Sequence, residues 1–285
     1  MAINMQSLPA VLKRRSLFLK ILKLLKLKEI YLKLFGRMAR NQQRVLLMRG
    51  SKSNQYPPQT GYYKVKPKHG ENWQEFDHVR LQISVGQEYH EGDKLKACIE
   101  WALCRFDKIT ICLNDTLQAS SIAFSERLSI NDALKKSIKM GDDWLKRNGD
   151  ILKDSKINVV RWDYWINHPD YADIYSELDY VYRINDEFCK GLEDNITSFW
   201  IRRSESMPDI YTKDRYPFFY KSSKKYLLEE GAAFILMNRL QKGLDVYPGS
   251  ILKCFEIMQK DETHGDLFER NFLRIDFSKN KNKAA

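Results

Sequence analysis

VRLQISV, residues 79–85, decides the fold. It is short, rich in β-branched residues and apolar at every second position, and Gly86 follows it, so it reads as a strand running into a turn. Working outward, Leu95, Cys98, Ile99, Ala102, Leu103 and Phe106 recur at helical spacing, and ITICL (109–113) reads as a short buried strand. Ser129 and Asp132 form an S-x-x-D capping signal that opens a helix running to about Gly149, and INVVRW (157–162) supplies a third strand. Strand, helix, strand, helix, strand predicts an α/β domain, a Rossmann-like parallel sheet flanked by helices. Further on, Ile174, Leu178, Val181, Phe188, Leu192, Ile196 and Phe199 predict long helices. KYLLEEGAAFILMNRLQ (225–241) predicts another, beginning near Pro217. LDVY (244–247) reads as a short extended segment, SILKCFEIM (250–258) as a helix, and FSKNKNKAA (277–285) as a frayed tail.

Charge divides the 285-residue chain. Residues 1–49 hold twelve lysines and arginines against Glu29 alone, so this head carries the whole formal +11 and the remainder is balanced. Residues 12–35, LKRRSLFLKILKLLKLKEIYLKLF, predict a basic amphipathic helix, with lysines too frequent for a secretory signal. A membrane-surface helix, an RNA-binding arm and a solvated appendage all satisfy this pattern. GSKSNQYPPQTG (50–61) reads as a linker. The expected division is therefore a basic extension and linker over 1–70 and a catalytic Rossmann-like domain over 71–285. Five cysteines without a C-x-x-C pair and five scattered histidines point to a reducing, cytoplasmic setting and offer no metal-ligand spacing. No uninterrupted apolar run reaches membrane-spanning length. G-x-G-x-x-G, G-x-x-x-x-G-K-[ST] and G-x-S-x-G are all missing, so neither a nucleotide cofactor nor a hydrolase elbow is announced.

Ser84 falls at the carboxyl end of the first strand, where α/β sheets place their functional crevice. Tyr226 and Glu230, four apart on a helix, share a face, with Glu229 set less squarely on it. Tyr247-Pro248 ends the extended segment. Singly, each has an ordinary explanation as a turn residue or a helix surface pair. Strand alternation puts Arg80, Gln82 and Ser84 on one face, which predicts Arg80 and Gln82 beside the substrate and a product with a polar or small residue. The alternative is an Arg80 paired with a core carboxylate such as Asp107 or Asp163. Lys135, Lys136, Lys139, Lys146 and Arg147 make a basic face on the 129–149 helix, with Leu134, Ile138 and Leu145 expected on its buried side.

Taken in order, ISVGQEY (83–89), W-A-L-x-R-F (101–106), YLLEE (226–230) and VYPGS (246–250) resemble the tRNA-dependent cyclodipeptide synthases over about residues 76–260. Gln87, Tyr247 and Pro248 resemble that family's X-Tyr-Pro subgroup rather than its larger, asparagine-bearing one. The resemblance implies a fold like the catalytic domains of class I tyrosyl- and tryptophanyl-tRNA synthetases, and no cofactor. It implies a ping-pong reaction in which Ser84 takes an aminoacyl group from one aminoacyl-tRNA. The amine of a second aminoacyl-tRNA then attacks, and the dipeptidyl intermediate closes to a diketopiperazine. Catalytic roles fall to Ser84, Tyr226, Glu230 and Tyr247, with Arg80, Gln82, Gly86, Gln87 and Pro248 near the substrate and backbone N–H groups of the Gly86–Gln87 turn as candidate oxyanion donors. The basic face at Lys135–Arg147 becomes the expected tRNA contact. The rival readings are a transferase delivering to another amine, or a non-catalytic tRNA- or membrane-binding protein.

Overall fold

Strand β2 (His78–Ile83) is buried along its full length because it lies inside the sheet, with neighbours on both sides. The computed structural model describes residues 61–70 and 72–280. The expected basic helix of the head and most of the linker lie outside them. On one side β2 pairs in parallel with β3 (Lys108–Leu113), and β3 with β4 (Ile157–Arg161). On the other it pairs in parallel with β5 (Leu244–Tyr247), which pairs with β6 (Phe272–Lys279). β1 (Tyr63–Gly70) closes that edge antiparallel to β6, giving the order β1-β6-β5-β2-β3-β4. The Rossmann-like architecture read from the sequence is present.

Two segments differ from expectation. The stretch assigned to the extension up to residue 70 contains β1, whose pairing with β6 makes it part of the sheet. The segment expected to fray begins within β6, where Leu273 and Ile275 point into the core. Both strands lie at the sheet margin and are only partly buried, so neither shows a long apolar run.

Helices cover both faces. Val79, Leu81, Ile83, Ile109, Ile111 and Leu113 pack with Leu95, Ile99 and Trp101 of α1 (Gly92–Leu103) and with Trp144. α2 (Ala119–Glu126) leads into α3 (Ile130–Asn148), where the Ser129 hydroxyl accepts the Asp132 N–H as the capping pattern predicts. The buried face of α3 is only partly the expected one: Leu145 packs against the core and Ile138 is half-buried, but the centre of the face lies elsewhere. Ala133, Ser137, Gly141 and Trp144 face inward and Leu134 is exposed, because small residues let the helix lie close to Asp115 and Arg161. The other face of the sheet carries α4 (Trp162–Ile166), α5 (Tyr171–Ile184), α6 (Asp186–Ser206), α7 (Tyr216–Leu240) and α8 (Lys253–Met258), packed around Leu178, Phe188, Leu192, Leu227 and Phe255. None of the described helices is long and apolar enough to cross a membrane.

Opposite each other in the β2–β5 pairing stand Arg80 and Asp245, both without solvent exposure. The guanidinium holds the carboxylate with two bonds, 2.8 Å at Nε and 3.2 Å at Nη2, and donates to the carbonyls of Met237 and Gln241 at the end of α7. Arg270 Nε and Gln82 Nε2 reach the same carboxylate at 2.7 and 2.9 Å. Burial alone would raise the Asp245 carboxyl, but Arg80 and Arg270 outweigh it and hold it below its ordinary value.

Removing one partner of such a pair strands the other charge. Arg80→Met is expected to lower unfolding free energy by about 3–5 kcal/mol in urea titrations. Because the Asp245 carboxyl is depressed in the folded state, its contribution is complete above the unfolded carboxylate value and disappears as pH falls through the folded one. The Arg80→Met variant should therefore lose less stability than the wild type between neutral pH and pH ~3.

Candidate active site

The chain moves from β2 outward to β3 and β4, then returns to lay β5 on the opposite side of β2. Ligand crevices of open α/β sheets form outside the carboxyl ends of strands at such a reversal. Ser84 follows the last residue of β2 and Tyr247 is the last of β5, so the two strands deliver both hydroxyls to the switch point. Ser84 Oγ and Tyr247 OH lie 3.3 Å apart, and Tyr247 OH and Tyr89 OH 2.8 Å apart.

The turn that presents Ser84 is built locally. The Gln87 N–H donates to the Ser84 carbonyl at 3.3 Å, and Gly86 at φ +84° occupies a left-handed position that a side chain would strain. The Ser84 N–H donates to His90 Nδ1 at 2.8 Å, and the Trp144 indole holds the His90 carbonyl. Burial lowers the His90 imidazole to about 4, so the ring stays neutral and keeps Nδ1 as an acceptor. Of the two oxyanion donors expected in this turn, the Gln87 N–H is engaged in closing it.

From the side, α7 contributes Tyr226 and Glu230. Burial and then the Glu230 charge push the Tyr226 phenol well above its ordinary value, leaving it a neutral donor. Burial raises the Glu230 carboxyl to about 7, with Arg270 opposing. Glu229 turns elsewhere, accepting the Trp162 indole N–H at 2.9 Å. Of the two glutamates, Glu230 lines the cavity described below and Glu229 does not.

Two cavities of about 510 and 540 Å³ meet here, and Ser84, Tyr89, Phe199, Arg202, Tyr226 and Tyr247 line both. The first also takes Gln87, Gln118 and Arg203. The second takes Gln82, Asn114, Glu230 and Arg270 together with Phe234, Ile251, Leu252 and Phe255. Arg80 lines neither, since every nitrogen of its guanidinium is committed to Asp245 or to backbone carbonyls. The expectation that it touches substrate is corrected: strand alternation placed it on the proper face, one layer below the cavity floor. Gln82 reaches the cavity wall while bonded to Asp245, and Gly86 and Pro248 are not among the lining residues. Tyr89, His90, Arg202 and Arg270 carried no expected role. Tyr89 lay within the quoted ISVGQEY run; Arg202 and Arg270 come from distant segments with no motif to mark them.

On α3 the five basic side chains are exposed as expected, yet four have acidic partners. Lys135 lies 3.9 Å from Asp132, Lys136 2.5 Å from Glu126, Lys139 2.7 Å from Asp143 and Arg147 2.7 Å from Glu91. Among the described residues no group of His, Cys, Asp or Glu is placed to hold a metal ion.

No family model and no curated protein sequence matches the chain. Solved structures do. A cyclodipeptide synthase from Fluoribacter dumoffii is similar at 24% identity and a TM-score of 0.69, covering 78% of this chain and all of its own. A cyclo(L-leucyl-L-phenylalanyl) synthase is similar at 16% and 0.60, covering 76% and 99%. The synthase from Candidatus Glomeribacter gigasporarum, solved with Phe-tRNAPhe, is similar at 15% and 0.57, covering 73% and 90%. A Mycobacterium tuberculosis member, described as relating such enzymes to type I tRNA synthetases, is similar at 16% and 0.57. These likenesses establish a shared fold.

Gly249 lies just after Tyr247, and a Cβ there would stand 2.6 Å from Tyr247 Cε1. Gly249→Ala is therefore expected to push the Tyr247 ring off Ser84 and cut turnover by about 10²-fold, the scale of a 1 Å misplacement. The melting temperature should fall by no more than a few degrees. An alanine variant with full turnover in a product assay would show that the Ser84–Tyr247 contact is not needed.

Proposed function

We propose that the chain is a cyclodipeptide synthase of the X-Tyr-Pro type, which joins two aminoacyl groups taken from tRNA through an aminoacyl-Ser84 intermediate. The observation that carries this reading is the meeting of Ser84, Tyr226, Glu230 and Tyr247 at one switch point where two cavities join. The likeness to solved cyclodipeptide synthases supports it independently.

Each step has a group to serve it. Ser84 Oγ attacks the ester carbonyl carbon, its proton passes toward Tyr247, and the ribose 3′ oxygen of the tRNA leaves as a hydroxyl. The α-ammonium of the bound aminoacyl group finds the Glu230 carboxylate and the Tyr226 phenol, while its side chain meets Phe234, Ile251, Leu252 and Phe255. Amide formation then requires an amine to lose a proton, and a carboxyl near 7 can accept it at neutral pH. Attack of the remaining amine on the remaining ester closes the diketopiperazine. Ester exchange is close to neutral and aminolysis of an ester runs downhill, so the sequence of steps needs no ATP. The α3 lysines serve as tRNA contacts in this reading. Their surface ion pairs are weakened by solvent and exchange readily for phosphate.

Expressing the protein in a bacterium and analysing the medium by mass spectrometry tests the reading, with a diketopiperazine as the expected product. Ser84→Ala should make none and should trap no labelled aminoacyl-enzyme from radiolabelled aminoacyl-tRNA. Labelled wild-type enzyme without a cyclic product would indicate a transferase acting on another amine. Labelled Ser84→Ala would remove the serine from the mechanism.

The two glutamates separate by pH. Wild-type kcat/KM should fall below about pH 7 as the Glu230 carboxylate is protonated and loses its attraction for the ammonium. Glu230→Gln should be slower and lose this limb, whereas Glu229→Gln should keep it. Identical pH profiles for the two variants would assign the limb to another group.

A further inference from the structure

The Tyr247 hydroxyl stands between two others. Ser84 Oγ lies 3.3 Å to one side and Tyr89 OH 2.8 Å to the other, and among the described residues no carboxylate or imidazole bonds to it. This bears on the proton that Ser84 must lose. A neutral phenol carries one proton, and its oxygen is far too weak a base to hold a second. Tyr247 can therefore take the serine proton only while its own proton leaves for another acceptor. Tyr89 is the described side chain that stands in bonding distance to receive it.

Tyr89 is fixed relative to the nucleophile. It belongs to the short 3-10 turn Glu88–His90, closed by the His90 N–H on the Gln87 carbonyl at 2.9 Å. Its ring meets Tyr247 edge-on at 5.9 Å and 88°, and meets His90 at 4.5 Å and 78°. The His90 ring lies 5.6 Å from Tyr247 and accepts the Ser84 N–H. One turn thus presents the serine at its start and grips Tyr247 at its end. Tyr89 is half-buried and lines both cavities, so it borders the space where they join. Burial, and then the bond to Tyr247, push its phenol above the ordinary value. It is neutral at physiological pH and, like Tyr247, can accept a proton only by passing one on.

We infer that Tyr89 is the second member of a proton relay that serves the first acyl transfer. This rests on the reading of Ser84 as the acceptor of an aminoacyl group from tRNA. Ser84 Oγ bonds to the ester carbon, and the bond from that carbon to the ribose 3′ oxygen breaks. The Oγ proton moves to Tyr247, the Tyr247 proton to Tyr89, and the Tyr89 proton to the departing 3′ oxygen. Both tyrosines end neutral, Ser84 ends as an ester, and the tRNA leaves with a free hydroxyl. The departing oxygen gains basicity as its bond breaks, from ester towards alkoxide, so it draws the protons in one direction.

The test follows single-turnover formation of labelled enzyme from radiolabelled aminoacyl-tRNA, over a range of enzyme concentrations and in mixtures of H2O and D2O. Tyr89→Phe removes one oxygen and keeps the ring, so thermal melting should be almost unchanged. Its maximal rate should fall about 10²-fold, the scale of a positioned acid–base group. The enzyme concentration giving half the maximal rate should stay the same. Wild-type rates plotted against deuterium fraction should bow downward, because several protons move together, and the Phe variant should give a straight line. The wild-type plot needs no variant. A straight wild-type plot overturns the relay, as does a Phe variant that acylates at the wild-type rate. A slow Phe variant that keeps the bowed plot also overturns it, leaving Tyr89 as a support for the Tyr247 ring. The synthase reading survives all three results. It fails on a different one, a wild type that takes no label from any aminoacyl-tRNA, and the relay would fail with it.

Discussion

The buried bond between Arg80 and Asp245 is the constraint on which the site depends. It crosses from β2 to β5, the two strands between which the sheet reverses direction. A pairing slipped by one residue would place Leu81 against the carboxylate and leave two charges unpaired in the interior, a cost of several kcal/mol. The bond therefore selects one register. That register sets Tyr247 one step beyond the Leu81–Val246 pair and two residues short of Ser84, and the length of the tyrosine side chain brings the two hydroxyls within 3.3 Å. Gln82 and Arg270 fasten the same carboxylate, so β2, β5 and the approach to β6 are held by one group.

Much of the fold could be read from residues 79–162, because VRLQISV alternates, ITICL is nearly continuously apolar and the helices between the strands repeat cleanly. The marginal strands were harder. FLRIDFSK alternates only weakly and YKVKPKHG is mostly polar, as the last strands of a sheet tend to be, and only their pairing with each other identifies them. The buried side of α3 misled for a different reason. Close helix packing selects alanine, serine and glycine, which a hydrophobic pattern does not register, and it leaves Leu134 in solvent.

Of the site, the sequence revealed the groups whose neighbours along the chain are informative. Ser84 follows a strand, Tyr226 and Glu230 share a helical face, and Tyr247 ends an extended segment. Alternation also set Arg80 on the same face as Ser84, but face alone does not say how deep a side chain lies. Its partner, Asp245, is 165 positions away, and neither carboxylate suggested from the sequence was the one. His90 is a similar case. Nothing in its spacing suggests that its ring accepts the Ser84 amide; that follows only from the turn folding back over six residues. Arg202 and Arg203 sit on an exposed helix surface, which in sequence is indistinguishable from ordinary solvation.

The composition of the second cavity bears on how such a protein can change over time. Its floor is tied to β2 and β5 through Gln82 and Arg270, both bonded to Asp245, so substitutions there would unsettle the sheet before they altered a ligand. Phe234 of α7 lies under the Arg270 guanidinium, 3.6 Å from its ring centre, and so belongs with that floor, but Ile251, Leu252 and Phe255 come from α8 and the loop after β5. Their volumes can be exchanged while the buried carboxylate keeps its partners. Chemistry and preference are thus carried by separate layers, and descendants of this sequence can diverge in what they accept without having to rebuild how they react.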